Sequence, residues 1–327
     1  MPTVGGGLLV VVADGWNSSV STVLRLSASL ALTKLGDFDG APGTACANRY
    51  GRFSVGGKVY AEGGELVWSY AEFTNGSAAG DRCQLSDAGE IFISEWGSDV
   101  VLSKIFNGQK IWDGPPGSGA PTALVLSGDR VASLRTQGDG WNQVLSVVDQ
   151  SGSLVASYLL KYQYLSFTDV ALFGKYVAAF NASPSRATQI FDTTTNQSIL
   201  VDVASQLAVL GYNNPHILGA SAEGFRVVWA TTTIDVSWTG ELTNKMKLPG
   251  LWEYFSGRGV RVTSKDRPGY VFFESGSPTD TQSMQLTRID EFGNATCVAS
   301  GACATKSTQN CGGMKSCKTT GCTAQTG

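Results

Sequence analysis

The tetrapeptide Asp-Gly-Trp-Asn occurs twice in this chain, as Asp14-Gly-Trp-Asn17 and as Asp139-Gly-Trp-Asn142. A tryptophan face stacks on the C–H side of a sugar ring or on a partner's side chain, while Asp and Asn exchange hydrogen bonds with hydroxyls. Asp14, Trp16, Asn17, Asp139, Trp141 and Asn142 are therefore the candidate binding residues. In the plainer reading, Asp-Gly shapes a tight turn and each tryptophan covers a neighbouring sheet. Other chemistry is scarce. His216 is the lone histidine, which excludes multi-histidine metal centres and argues against a histidine-based triad. Asp37 and Asp39, in Gly36-Asp-Phe-Asp-Gly40, resemble part of a calcium loop, but the remaining ligands and the distal glutamate are missing. Asp149, Asp192, Asp235 and Asp290 look like an array, yet each is placed at a strand end and is expected to anchor a turn. No metal, cofactor or catalytic residue is assigned, and the chain is expected not to be an enzyme.

Cysteines are the second reactive set. Cys297, Cys303, Cys311, Cys317 and Cys322 crowd the C-terminus, and Cys46 and Cys83 stand apart. The crowded five lack the tight C-x2-C pairs of a zinc ribbon. Disulfides are the expected state, with at least two among residues 297–322 and a Cys46–Cys83 bridge as a further pairing. Seven is odd, so one thiol stays free or pairs between chains. Five Asn-x-Ser/Thr sequons, at Asn17, Asn75, Asn181, Asn196 and Asn294, mark polar loop tips.

These residues sit in a weakly charged, glycine-rich background. Of 327 residues, 16% are charged and 40 are glycine, and Lys+Arg minus Asp+Glu is 24 − 27 = −3. Such a surface does not suit a polyanion, so neither nucleic acid nor an anionic membrane is an expected partner. The longest apolar run, Leu8 to Ala13, is far too short to span a bilayer. It follows no positive segment and ends at Asp14-Gly15, so a signal peptide is not expected in this chain.

The elements that must position these residues are strands. Helical periodicity is nearly absent, and short apolar or alternating runs are each stopped by Gly, Asp, Asn or Ser. Ala123-Leu-Val-Leu-Ser127, Val131-Ala-Ser-Leu-Arg135, Gln143 to Val148 and Ser153 to Ser157 make a four-stranded meander. The pattern recurs at Asp169–Val201, His216–Met246 and Gly259–Val298, and upstream at Cys83–Trp112. First-to-second-strand turns near positions 6, 57, 88, 128, 174, 223 and 267 average about 44 residues apart. The segment from Tyr50 to Gly80 is the weak one, a partial unit or an insertion. Residues 8–33 supply three strands, with a fourth expected from near the C-terminus.

The copies Val147-Val-Asp-Gln-Ser-Gly-Ser-Leu154 and Ile190-Phe-Asp-Thr-Thr-Thr-Asn-Gln-Ser-Ile199 resemble generic β-propeller blades of the quinoprotein-like and WD-repeat-like kind. This likeness carries no family's functional residues. The expectation is an all-β propeller of about seven four-stranded blades, six or eight remaining open, over residues 1–298. A small Cys-rich, disulfide-stapled tail follows at 299–327, where a core cannot form. Since fold alone does not set function, two readings stand. One is a structural and recognition propeller in an extracellular assembly, a virion part (phage tail or fibre) or surface filament, whose partners are protein subunits. The alternative is a secreted lectin- or adhesin-like propeller that binds surface glycans or protein.

Overall fold

The computed structural model describes residues 8–12, 20–26, 32–40, 45–70, 82–95, 99–137, 142–161, 167–181, 188–207, 216–229, 232–247, 259–262, 269–277, 280–290, 295–300, 309–311 and 315–317. Two compact units divide the chain, Met1–Ser183 with Thr188–Leu200, and Pro184–Ala187 with Val201–Gly327.

The first unit holds five antiparallel sheets, each a meander in chain order. Strands β1 (Leu8–Val12), β2 (Val20–Leu26) and β3 (Leu32–Asp39) form the first. The second is β4 (Cys46–Ala47), β5 (Phe53–Val55), β6 (Lys58–Tyr60) and β7 (Leu66–Ser69). The third is β8 (Arg82–Leu85), β9 (Ile91–Ser94), β10 (Ser103–Phe106) and β11 (Gln109–Asp113). The fourth is β12 (Ala120–Ser127), β13 (Arg130–Thr136), β14 (Asn142–Asp149) and β15 (Leu154–Lys161). The fifth is β16 (Phe167–Phe173), β17 (Tyr176–Asn181), β18 (Thr188–Asp192) and β19 (Gln197–Val201).

The second unit contains the five-residue helix α1 (Val203–Leu207) and two further meanders. These are β20 (His216–Ala220), β21 (Gly224–Trp229), β22 (Thr232–Ser237), β23 (Leu242–Lys247), and then β24 (Gly259–Val262), β25 (Gly269–Ser277), β26 (Asp280–Asp290), β27 (Ala295–Ser300). A hairpin of β28 (Gln309–Cys311) and β29 (Lys315–Cys317) lies in the Cys-rich tail.

Burial explains the sequence pattern. Second strands of the first unit's four-stranded sheets are covered on both faces, so Val131–Arg135, Val177–Asn181 and Ile91–Ser94 are buried residue by residue instead of alternating. Sheets stack face to face, and each interface is a small core. Leu9 and Val23 meet Phe53, Val55 and Tyr60 between the first and second sheets. Leu134, Leu145 and Val147 meet Phe167, Leu172 and Phe191 between the fourth and fifth. Small residues at Ala132, Ala178 and Ala179 sit in the buried second strands. Fourth strands are the opposite: Leu66, Ile111, Leu159 and Leu200 are exposed. Turn chemistry follows the sequence. Asn107 (φ 50°) and Gly108 (φ 75°) both take left-handed backbone in the two-residue link from β10 to β11.

One expectation needs correction. Residues 45–70, which overlap the segment taken as weak, hold a complete four-stranded sheet. Its strands are two to four residues long, too short to show a period. Among the described residues six sheets reach four strands and the first has three, within the six to eight blades expected. Within that sheet β3 occupies the outer, fourth position. The ring of Phe38 on β3 covers Gly64 of the next sheet as Trp112 on β11 covers Gly152 of its neighbour. Among the described residues β1 pairs only with β2, so the position left open in the first sheet is the first one, beside β1.

Candidate recognition loops and the residues that hold them

Asp139-Gly-Trp-Asn142 occupies the link between a second and a third strand, β13 and β14. Asp14-Gly-Trp-Asn17 lies between β1 and β2, which the outer position of β3 makes the same kind of link. Asp14, Trp16, Asn17, Asp139 and Trp141 themselves lie outside the described residues. Asn142 opens β14 and is half-buried, and the Gln137 N–H donates to its carbonyl at 2.8 Å, closing the loop at its base.

Beneath that base is a buried arginine. Arg135 is 2% exposed at the end of β13. Its Nη1 donates to Ser94 Oγ (2.9 Å) and to the carbonyls of Val100 (3.1 Å) and Val101 (3.0 Å). Its Nη2 donates to the carbonyls of Glu95 (2.9 Å) and Gly119 (2.6 Å). One guanidinium thereby fixes the link after β9, the approach to β12 and the strand that carries the Asp139 loop. Such a planar five-donor fork suits a site where several carbonyls converge.

Gln143, one residue past the loop, clamps the next sheet. Its Nε2 donates to the Phe167 carbonyl at 3.0 Å and to Thr136 Oγ1 at 3.2 Å. The first strands bulge at one place in three successive sheets, between Pro121 and Ala123, Phe167 and Asp169, and Ile217 and Gly219. A bulge re-aims a side chain at a sheet end, and here it frees Thr122 Oγ1 to meet Thr136 Oγ1 at 3.2 Å. Sequence reasoning did not single out Arg135 or Gln143. The available signal was a charge at a position where the strand pattern demands burial.

The aspartates behave as turn anchors at two sites. Asp149 Oδ1 accepts from the Ser151 hydroxyl (2.6 Å) and from the N–H groups of Ser151 (2.8 Å) and Ser153 (3.0 Å). The Ser151 hydroxyl holds its carboxyl below the usual range. Asp192 Oδ1 accepts from Thr194 in the same way, and the Lys175 ammonium lies 2.7 Å from Oδ2. That ammonium, then the Thr194 hydroxyl, hold Asp192 far below the carboxylate range. Asp235 departs from the pattern. β22 runs two residues further to Ser237, whose hydroxyl accepts from the Glu241 N–H at 2.9 Å, while Asp235 pairs with Arg226. Asp290 ends β26 as expected.

Asp37 and Asp39 face cations instead of one another, Asp37 at 2.7 Å from Lys34 and Asp39 at 3.2 Å from Lys58. No group of three or more metal-ligating side chains occurs among the described residues. His216 starts β20 opposite Val228.

Cys46 and Cys83 are joined by a disulfide that ties β4 to β8, the first strands of adjacent sheets, with Cα atoms 5.7 Å apart. Both cysteines are buried in the core between those sheets. Cys297 lies on β27 opposite Thr287, Cys311 on β28 opposite Lys315, and Cys317 on β29 opposite Gln309. Cys303 and Cys322 fall outside the described residues, as does the pairing expected among the tail cysteines. No helix among the described residues is long and apolar enough to cross a membrane.

No protein-family model matches this chain, and no curated protein does. Solved structures do. Apo AztD from Citrobacter koseri, a β-propeller, aligns with a TM-score of 0.52 at 12% identity, over 90% of this chain and 84% of that one. The computationally designed Ika8 protein aligns with a TM-score of 0.53 at 14% identity, over 88% and 82% of the two chains. At such identities the likeness speaks to architecture alone, and together with six repeated four-stranded meanders it makes the fold a β-propeller.

Proposed function

We propose that this propeller recognises and assembles outside the cell, and that it binds without catalysing. The observation that carries this reading is the loop base at Gln137–Asn142, closed by a backbone hydrogen bond directly beyond the buried Arg135. A variable loop on a locked scaffold is the arrangement that recognition uses, since rigid loops lose little entropy on binding. The buried Cys46–Cys83 bridge supports an oxidising, extracellular setting. The partners are protein subunits of a larger particle, a virion part (phage tail or fibre) or a surface filament, with the tail at 299–327 as the segment that touches a neighbour. Sedimentation of the full chain against a chain ending at residue 298 tests this. The full chain should assemble and the shorter one stay monomeric yet folded; equal behaviour of the two would reject it. The twin Asp-Gly-Trp-Asn loops favour a second reading, a glycan- or protein-binding propeller. A glycan array probed with the intact protein and with a Trp16→Ala, Trp141→Ala double variant decides that one.

A further inference from the structure

Of the two sequons whose asparagine is described, only one leaves room for a glycan in the folded chain. Asn181 ends β17 with 0% exposure, so a glycan on it is incompatible with the folded sheet. Asn196 caps the exposed turn from β18 to β19. Its N–H donates to the Asp192 carbonyl at 2.9 Å, its φ is 56°, and the residue is exposed. Left-handed asparagines serve turn geometry elsewhere too, at Asn107 and Asn244. Those two are followed by Gly108-Gln109 and Lys245-Met246, whereas Asn196 is followed by Gln197-Ser198, which completes a sequon.

The strand that begins one residue later has an uncharged edge. β19 is the outermost strand of its sheet, and Gln197 to Leu200 are all exposed, with Ile199 at 39% and Leu200 at 59%. Outer strands normally carry charge that blocks edge-to-edge pairing. Lys110 lies on β11, Lys161 on β15, and Lys245 and Lys247 on β23. β19 carries none within Gln197–Val201. β7 and β27 share that lack, and the Asn75 sequon follows β7 in sequence, beyond the described residues.

We propose that Asn196 is an acceptor for an N-linked glycan, and that the glycan covers the uncharged β19 edge where β11, β15 and β23 carry lysine. In the transfer, Asn196 Nδ2 bonds to the anomeric carbon of a lipid-diphosphate-linked oligosaccharide. The bond from that carbon to the diphosphate oxygen breaks, the lipid diphosphate leaves with the electron pair, and Nδ2 gives a proton to the transferase. This inference shares with the proposed function only the secreted, extracellular setting, as in a surface filament and not a phage part, and its first test does not depend on assembly or ligand binding.

The full chain behind a secretory leader is translated into endoplasmic-reticulum microsomes and mapped by mass spectrometry. Asn196 should carry a glycan that is lost in Asn196→Gln and Ser198→Ala and kept in Ser198→Thr. Transfer acts on the entering chain, so variants that fold poorly still report. A translocated chain with bare Asn196 overturns the acceptor. The covering role is read on secreted protein by light scattering before and after enzymatic glycan removal. Removal should increase self-association, and Leu200→Lys should suppress that increase; an unchanged monomer fraction overturns the covering role.

Discussion

Gln143 and Phe167 exchange two hydrogen bonds across a blade boundary. The side-chain amide donates to the Phe167 carbonyl at 3.0 Å, and the Phe167 N–H donates back to Oε1 at 2.5 Å. The glutamine thus acts as one residue of a strand that the fifth blade lacks on that side. Gln143→Leu leaves a buried N–H and C=O unmatched, and the expected loss is about 2–4 kcal/mol of stability. Gln143→Glu keeps an acceptor but sets a buried carboxylate against the Phe167 carbonyl and should cost at least as much. Urea unfolding midpoints check the order.

Arg135 makes a sharper case. Its donations to Ser94, Glu95, Val100, Val101 and Gly119 reach across the joint between the third and fourth blades. Arg135→Met strips all of them from buried acceptors and should cost about 3–5 kcal/mol. Arg135→Lys should recover little, because a point charge cannot span carbonyls that a planar fork reaches. Hydrogen exchange should localise the damage to residues 94–101 and 119.

These two residues show where sequence reading ran out. Apolar runs punctuated by Gly, Asp and Asn made the blades legible, because covered second strands must be apolar at every position and turns need particular residues. Arg135 and Gln143 look like ordinary polar strand residues until the neighbouring blade is in place. β4 to β7 were missed for another reason: strands of two to four residues carry no period, and their register rests on contacts such as the Asn48 turn. Asp235 kept the 43-residue spacing from Asp192 but not the role, because Ser237 supplies the turn acceptor. A local pattern marks an element well. It does not assign a side chain whose partner lies on the next element.

The Cys46–Cys83 bridge spans 37 residues and joins the short-stranded second blade to the third. Closing a loop of that length removes about 3–4 kcal/mol of unfolded-state entropy in the chain-entropy account. A Cys46→Ala, Cys83→Ala double variant should therefore lower the unfolding free energy by roughly 3 kcal/mol. Reductant should lower the wild-type midpoint and leave the variant's unmoved.

Acid should act on the turns first. Lys175 and Thr194 depress Asp192, and Ser151 depresses Asp149. A carboxyl whose folded pKa lies below its unfolded value gives stability that is present above the unfolded pKa, near 3.9. That stability is lost as pH falls toward the folded value, so the window opens below about pH 4. Lys175 shows the same pair from the other side: Asp192 raises its pKa, and its contribution is lost as pH rises through that raised value. Amide exchange at Thr194 and Thr195 should speed up between pH 4 and 2 in the wild type, and be fast and pH-flat in Asp192→Asn after correction for intrinsic rates.

Trp141 separates the recognition reading from the packing one. The loop that carries it is closed by backbone atoms, the Gln137 N–H and the Asn142 carbonyl, so removing the indole leaves the base intact. If the ring faces a partner, Trp141→Ala should weaken binding by roughly 1–3 kcal/mol, about ten- to a hundredfold, as an exposed aromatic anchor does. Its unfolding midpoint should then match the wild type. An indole packed on a neighbouring blade behaves differently, because its loss opens a cavity and costs about 3–5 kcal/mol of stability. Arg135→Met supplies the control, since it should lower stability and binding together through the loop's base. Binding to the array's best glycan, measured beside the urea midpoint for both variants, gives the answer. A Trp141→Ala protein that unfolds early would retire the loop as a recognition element.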